Sequence, residues 1–206
     1  MLSQLTDPEF LAHKEQIERK VFSIWMPHKG QVHILTHFLI NWQTGLFLKA
    51  GRKFGKTEPA IVLLYAFSRM FANAECYYIA DEKDHAGDIV WDNGRLPGFF
   101  SRGMKQLRGE SFAAYQARKK IGLSIEKEWD IQPNNSEMMV KMNNGSFIKV
   151  EGAKNFSIAN GLSPTIAVYD EFKDHDQRFD ETMRPNLNAM KGRILIMGTP
   201  PPAEDG

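Results

Sequence analysis

The sequence predicts an α/β protein, with a mostly parallel central sheet flanked by helices on both faces. Short apolar runs typical of buried strands occur at 46–50, 76–80, 166–170 and 193–198. Segments with helical patterning separate most of them, and parallel strands need such crossovers. Asn-Gly at 144–145, between two alternating runs, adds a predicted β-hairpin around 136–151.

Capping and breaking residues set the boundaries of the elements in the first half. Asp7 followed by Pro8 is typical of a helix start. Pro27 to Gly30 separates the first helix from the second, and Asp81 is the predicted N-cap of a helix that reaches Trp91. The predicted order is helices over 7–24 and 31–43, a strand over 46–50, a helix over 56–72, a strand over 76–80, and a helix over 81–91.

The second half contains a partly helical basic segment, the hairpin and two further strands. Helical patterning covers 112–121, and the hairpin follows at 136–151. The strands over 166–170 and 193–198 enclose a polar segment rich in Asp and Arg. Its acidic residues lack the spacing of a calcium loop, so we expect a solvated turn there. These residues are Asp174, Asp176, Asp180 and Glu181.

Composition indicates one globular domain. The chain has 206 residues, of which 42% are hydrophobic and 25% charged, as in ordinary globular domains. No apolar run approaches the ~20 residues of a membrane span, and no signal peptide is recognisable. The single cysteine, Cys76, lies in an apolar run and is typical of a reducing compartment, so we expect a cytoplasmic protein. A net charge of +1 neither favours nor excludes a polyanionic partner.

A predicted phosphate-binding loop, Gly51-Arg52-Lys53-Phe54-Gly55-Lys56-Thr57, lies between a strand and a helix. In that setting backbone N–H groups and a helix N-terminus bind nucleotide phosphates. Lys56 would reach the β- and γ-phosphates, and the Thr57 hydroxyl would bind Mg²⁺. The full pattern requires glycine where this chain has Ala50. Gly-Lys-Thr also occurs by chance, so the loop alone leaves nucleotide binding open.

Two other strands also end in residues suited to nucleotide chemistry. Asp170 and Glu171 follow the apolar run 166–169, and Thr199 follows the strand over 193–198. Asp170 could hold Mg²⁺ through water, and Glu171 could deprotonate an attacking water. A solvated acidic turn is the alternative for the pair taken alone. Because the carboxyl ends of parallel strands share one edge, we expect all three motifs to meet.

The segment from Arg102 to Lys120 carries most of the local positive charge. It contains six basic residues and one acid, Glu110. Such a cluster is typical of a contact with a nucleic-acid backbone, and equally of a solvated helix face. The candidate DNA-binding residues are Arg102, Lys105, Arg108, Arg118, Lys119 and Lys120.

Four segments together resemble the ATPase domain of the large terminase subunit of tailed bacteriophages, a P-loop NTPase of the RecA/ASCE-like class. Residues 27–31, Pro-His-Lys-Gly-Gln, are similar to the family's adenine-binding segment. Residues 52–57 are similar to its deviant Walker A, in which arginine often precedes the lysine. Asn-Gly-Leu-Ser-Pro at 160–164 resembles the lead-in to its Walker B, and Gly-Thr-Pro at 198–200 its coupling motif. The order and spacing hold over roughly residues 25–200.

The resemblance implies a role for each matching residue. Glu171 would be the catalytic carboxylate, with Lys56 and Arg52 stabilising charge on the phosphates. Thr57 and Asp170 would hold Mg²⁺, and Thr199 would couple hydrolysis to movement. The implied nucleotide-binding set is Gln31, Gly51, Arg52, Lys53, Phe54, Gly55, Lys56, Thr57 and Glu58.

The implied function is an ATP- and Mg²⁺-dependent motor that translocates double-stranded DNA into a prohead. The implied partners are the portal protein, the small terminase subunit and further copies in a ring, with no membrane. The implied location is the host cytoplasm, outside the mature virion. The implied domain plan is a single ATPase domain over 1–206, with N-terminal helices and the adenine segment over 1–45. Family proteins continue into a nuclease, which we expect this chain to lack.

One departure from the family concerns the arginine finger that acts on a neighbouring subunit. The family often places it before the glycine of the Walker B lead-in, where this chain has Asn160. Arg178, Arg184 and Lys154 are the remaining candidates.

Two other functions stay open at this stage. A helicase of superfamily 2 shares a glutamine segment and an Asp-Glu pair, but Phe172-Lys173 departs from that group's next two residues. A nucleotide-binding assembly module without turnover is the third possibility, because the altered loop could bind weakly.

Overall fold

A single seven-stranded sheet organises the chain. The computed structural model describes residues 6–101, 104–154, 156–172, 175 and 177–200. The sheet has the order β1-β7-β6-β2-β5-β4-β3, and its first five strands are parallel. The strands are β1 (Gly45–Lys49), β2 (Glu75–Ala80), β3 (Gln132–Asn134), β4 (Met139–Lys141), β5 (Phe147–Gly152), β6 (Ile166–Tyr169) and β7 (Arg193–Gly198).

The described residues form six α-helices, of which two precede the first strand and four lie between strands. Two of the six continue into a π-helical turn. The α-helices are α1 (Pro8–Ile24), α2 (Lys29–Leu35), α3 (Thr57–Met70), α4 (Lys83–Ala86), α5 (Phe112–Glu128) and α6 (Gln177–Met190). The π turns are Thr36–Ile40 and Gly87–Trp91, and a 3₁₀ helix spans Phe156–Gly161. Among the described residues, no helix is long and apolar enough to cross a bilayer.

Side chains of the sheet alternate between two apolar cores. Tyr78 and Val168 belong to the larger core, which also contains residues of α1, α2, α3 and α5. Tyr77 and Tyr169 belong to the smaller core, which contains residues of the 3₁₀ helix and α6. Helices therefore cover both faces, because the period-2 alternation of each strand supplies apolar side chains to each side. The predicted α/β class is confirmed.

The predicted hairpin is also confirmed. Antiparallel pairing joins Met139 to Lys149 and Lys141 to Phe147. Gly145 has a φ of 80°, which the tight connection requires and glycine adopts without strain. A third antiparallel strand, β3, pairs with β4 and forms the far edge of the sheet.

Three helical predictions differ from the structure. The N-cap of the helix after β2 is Glu82 and not Asp81, whose carboxylate pairs with His85 Nδ1 at 2.9 Å; the helix does reach Trp91, as α4 and its π turn. Helix α5 continues to Glu128, beyond the predicted end. The segment expected as an acidic turn forms α6 from Gln177, because Phe179, Met183 and Leu187 give it a buried apolar face. Asp174 and Asp176 lie outside the described residues.

Gly122 allows α5 to approach the preceding loop closely. A Cβ atom on Gly122 would lie 1.6 Å from the Phe100 carbonyl oxygen and 2.7 Å from its carbon. We predict that Gly122→Ala lowers the free energy of unfolding by about 2 kcal/mol, because this overlap outweighs the better helix propensity of alanine. Urea unfolding followed by circular dichroism measures the change.

Gly161→Ala is the matched control, because a Cβ there has no neighbour within 4 Å. We expect its effect to stay within about 0.5 kcal/mol. Equal stability of the Gly122→Ala and wild-type proteins would contradict the close packing of α5.

Candidate functional site

The exits of β1, β6 and β7 meet at one cavity of about 880 Å³. Lys49 pairs with Gly198, and Tyr169 pairs with Ile196, so these strands end at nearly the same level. The cavity is lined by residues 51–57, His85, Ile89, Arg95, Asp170, Glu171, Thr199 and Pro200. The structure therefore brings together the three motifs that the sequence placed at strand ends.

The loop over 50–56 has the backbone form of a phosphate cradle. Lys53 and Gly55 have φ values of 66° and 80°, which turn successive peptide groups. Helix α3 begins directly after the loop at Thr57, so its unpaired N–H groups face the same region. The Ala50 N–H donates to the Gly198 carbonyl oxygen at 3.2 Å. Ala50 thus extends the pairing of β1 with β7, and the turn begins one residue later, at Gly51.

Lys56, Thr199 and Glu171 form a closed polar network at the base of the cavity. The Lys56 ammonium donates to Thr199 Oγ1 at 2.7 Å and to the Ala50 carbonyl oxygen at 3.1 Å. The Thr199 hydroxyl in turn donates to Glu171 Oε1 at 2.6 Å, and its backbone N–H donates to Oε2 at 3.1 Å. Lys56 Nζ lies 3.7 Å from Glu171 Oε1. One threonine thus connects the cation of the phosphate loop to the carboxylate after β6.

The backbone at Glu171 is strained. Its φ is 47°, a conformation that costs a non-glycine residue about 1–3 kcal/mol. Such strain persists only where surrounding contacts hold it, and here both carboxylate oxygens accept hydrogen bonds from Thr199. Strained backbone of this kind clusters at functional sites.

Asp170 is a buried carboxylate that accepts a hydrogen bond from Tyr78, a residue that no sequence motif indicated. The Tyr78 hydroxyl, fully buried on β2, donates to Asp170 Oδ2, and the Glu171 N–H donates to Oδ1 at 3.1 Å. Burial raises the pKa of Asp170, and the Tyr78 hydrogen bond opposes that rise. The Thr57 hydroxyl also interacts with the phenol oxygen of Tyr78. Tyr78 therefore connects the two predicted metal-binding residues.

The oxygen atoms of Thr57 and Asp170 suit Mg²⁺, which binds proteins through one or two oxygen ligands and completes its shell with phosphates and water. Both residues line the cavity beside the phosphate loop. The described part of the chain contains no cluster of three or more His, Cys, Asp or Glu side chains that could hold a metal by itself. The donor set therefore fits a cation that arrives with a phosphate ligand.

Gln31 lies behind the phosphate loop and does not line the cavity. Its amide donates to the Gly55 carbonyl oxygen at 3.0 Å and accepts from the His28 N–H at 3.1 Å. His28 and Phe54 also pack edge to face, with ring centroids 5.0 Å apart. These contacts make Gln31 a support of the loop, and its contact with adenine stays a prediction.

The remaining residues of the predicted nucleotide set divide between two cavities. Arg52 and Lys53 are exposed and line the main cavity with Gly51 and Phe54. Glu58 instead lines a neighbouring cavity of about 280 Å³. Arg95 lines both, although no sequence pattern indicated it.

Arg118 is a correction to the predicted DNA-binding set. It is only 8% exposed, and its guanidinium donates to both Glu110 oxygens at 2.9 and 2.7 Å. It also donates to the carbonyl oxygens of Ile24 and Lys105. The hydrogen bonds from Arg118 lower the pKa of Glu110 to about 2. Arg118 thus links α5 to the end of α1 and to the loop that contains Lys105 and Glu110. Its hydrogen-bond donors are occupied by protein acceptors, so they do not face DNA.

The other basic residues keep the surface position that a DNA contact needs. Lys105, Arg108 and Lys120 are exposed, and Lys119 is half-buried. Arg102 lies outside the described residues. Of the candidates for an intersubunit finger, Arg184 pairs with Asp180, and Lys154 pairs with Glu82.

Comparison with known proteins identifies the fold. No protein-family model matches the chain, and no well-characterised protein matches it by sequence. Among solved structures, the chain is similar to the large terminase ATPase domain of Thermus phage P74-26, with a TM-score of 0.59 and 18% identity. That match covers 89% of this chain and 69% of the other.

Two further structures agree. A single-substitution mutant of the same Thermus phage domain gives a TM-score of 0.59 at 18% identity, with 89% of this chain and 70% of the other covered. The large terminase of a different thermophilic bacteriophage gives 0.57 at 11% identity, over 85% of this chain and 40% of the other. The predicted P-loop NTPase fold and its likeness to large terminase ATPase domains are confirmed at the level of the fold.

We predict that Tyr78→Phe lowers the free energy of unfolding at neutral pH by about 1–3 kcal/mol. The substitution removes the hydroxyl that donates to Asp170 and leaves a buried carboxylate with one donor fewer. Urea unfolding measures the loss.

Tyr77→Phe is the matched control, since this neighbouring tyrosine lies on the opposite face of the sheet. Its hydroxyl donates to Glu75 at 2.7 Å, and that carboxylate keeps a second donor, the Ser163 N–H. We expect a smaller loss, because Glu75 is less buried than Asp170. A larger loss for Tyr77→Phe would contradict the role assigned to Tyr78.

Proposed function

We propose that this chain is the ATP-hydrolysing motor domain of a viral DNA-packaging terminase. One observation carries the proposal: Lys56, Asp170, Glu171 and Thr199 meet at the phosphate loop, within a fold shared with large terminase ATPase domains. These residues follow three different strands in the sequence, and the proposed function requires that they meet in the folded chain.

The geometry supports a division of roles among these groups. The Lys56 ammonium, fixed by the Ala50 carbonyl and the Thr199 hydroxyl, is placed to neutralise charge on the β- and γ-phosphates. The Glu171 carboxylate is the general base that orients and deprotonates the attacking water. Arg52, on the exposed side of the loop, would stabilise charge on the γ-phosphate in the same subunit. Mg²⁺, when bound by Thr57 and Asp170, would neutralise negative charge on the phosphate oxygens.

Thr199 would respond to the presence or absence of the γ-phosphate. Its hydroxyl accepts a hydrogen bond from Lys56 and donates one to Glu171. A bound γ-phosphate would compete with Thr199 for the Lys56 ammonium. The network over Lys56, Thr199 and Glu171 would then rearrange, and β7 would carry the change away from the site.

Two alternatives make different predictions. A superfamily 2 helicase needs a second RecA-like domain, whereas the three solved structures compared above are large terminases or their ATPase domains. A nucleotide-binding assembly module would bind ATP without hydrolysing it. Two features favour an enzyme: the buried carboxylate of Asp170, and the strained backbone of Glu171, whose carboxylate accepts two hydrogen bonds. A site that only binds phosphate requires neither feature.

We predict that Glu171→Gln lowers the turnover number for ATP hydrolysis about 100-fold or more, while the affinity for ATP changes less than about 3-fold. Glutamine keeps an oxygen for the Thr199 N–H but cannot accept the proton of water. A phosphate-release assay and equilibrium binding of ATP measure the two quantities.

Glu181→Gln is the control, since Glu181 is an exposed carboxylate on α6. Unchanged turnover in Glu171→Gln would contradict the assigned base. A wild-type protein that binds ATP and never hydrolyses it, with or without double-stranded DNA, would instead favour the assembly module.

Double-stranded DNA is the proposed substrate for translocation, and the basic surface is its proposed contact. This surface consists of Lys105, Arg108, Lys119 and Lys120. Arg118 fixes its loop to α5 through the Lys105 carbonyl oxygen and Glu110. The portal protein, the small terminase subunit and further copies in a ring are the other proposed partners. The proposed location is the host cytoplasm.

We predict that the double variant Arg108→Ala with Lys120→Ala weakens binding to double-stranded DNA. Each lost phosphate contact should also reduce the slope of log affinity against log salt by about 0.9. Fluorescence anisotropy at several salt concentrations measures both. The matched control removes two exposed charges elsewhere, Arg19→Ala with Lys141→Ala. Equal losses in the two double variants would contradict a localised DNA contact.

A further inference from the structure

Arg95 lies at the junction of the two cavities beside the phosphate loop. It follows the π turn that ends at Trp91, on the crossover after β2, and so belongs to none of the three strand exits. It lines the main cavity together with the phosphate loop and Asp170. It also lines the smaller cavity with Glu58, the residue that follows Thr57.

The backbone that carries Arg95 is held in place on both sides. The Arg95 N–H donates to Asn93 Oδ1 at 3.0 Å. The next residue, Leu96, is fully buried, and its N–H donates to the Val90 carbonyl oxygen at 2.8 Å. The Leu96 carbonyl oxygen accepts from the Tyr65 hydroxyl at 2.6 Å. A side chain on such a fixed loop loses little further backbone entropy when it binds a ligand.

Arg95 is half-buried, and its side chain lines the site. Its charge acts on the Tyr78 hydroxyl, which donates to Asp170. Across the described ranges of the chain, no carboxylate or carbonyl oxygen accepts a hydrogen bond from this guanidinium. A guanidinium presents five donors in a planar fork, a geometry that suits phosphate oxygens.

We propose that Arg95 binds the phosphates that ADP and ATP share, from the crossover after β2 and within the same subunit. This inference deepens the proposed function and depends on it. Arg95 lines cavities with Thr57 and Glu58, at the start of α3. This position favours the α- and β-phosphates, because the start of the helix after a phosphate loop faces these two phosphates of the nucleotide. Arg95 therefore differs from Arg52, which we assign to the γ-phosphate. Arg95 contributes binding, whereas Arg52 contributes turnover.

The test compares Arg95→Ala with wild-type protein in binding ADP and a non-hydrolysable ATP analogue, each with Mg²⁺, by calorimetry. Loss of a charged hydrogen bond should weaken both ligands about 10- to 100-fold and by a similar factor. In steady-state assays KM should rise while the turnover number changes little, which is the signature of an interaction made equally in the ground and transition states. Arg95→Lys should restore part of the affinity, because it keeps the charge but not the fork.

Arg19→Ala is the control, since it removes an exposed arginine on α1. Wild-type affinity for both ligands in Arg95→Ala would overturn the inference, as would a fall in turnover with unchanged ADP affinity. Lys56→Ala separates this failure from failure of the proposed function. If Lys56→Ala alone loses nucleotide, only the assignment of Arg95 fails. If the wild-type protein binds neither ligand, both proposals fail.

Discussion

The parallel pairing of β1, β7 and β6 is the constraint on which the rest of the site depends. Lys49 lies opposite Gly198, and Tyr169 lies opposite Ile196. With this register, the residues that follow each strand emerge within two residues of the same level. A slip of one residue would turn the side chains of a strand to the opposite face and separate Glu171 from Thr199. The chemistry at the cavity is thus set by strand register more than by any single side chain.

Burial at this sheet edge determines how each charge is held. Asp170 is nearly inaccessible, and a buried carboxylate is stable only with donors. Tyr78 and the Glu171 N–H provide them. Glu171 is more exposed, and two donors from Thr199 hold it in a strained conformation. The adjacent carboxylates therefore differ in environment, which suits a division between a cation ligand and a base that meets water.

Local patterns in the sequence were sufficient for the hairpin, the three motif exits and every strand except the edge strand β3, because each of these depends on neighbouring residues. Contacts between distant segments could not be predicted in this way. Arg118 belongs to a basic run, yet Glu110 and the Ile24 carbonyl bind it inside the fold. Tyr78 has the pattern of a core aromatic, and its hydroxyl meets Asp170 only after β2 and β6 pair. Helix α6 was missed because its sequence is mostly polar and contains Pro185.

The charged side chains around the cavity show how Arg52 and Arg95 complement each other. Its lining includes four cations, Arg52, Lys53, Lys56 and Arg95, and two anions, Asp170 and Glu171. Lys56 is the cation closest to the carboxylates, at 3.7 Å from Glu171. The remaining positive charge lies on two separate elements, the loop after β1 and the crossover after β2. A polyanion with its own bound cation would be enclosed from both elements, and movement of either would change how tightly its phosphates are held.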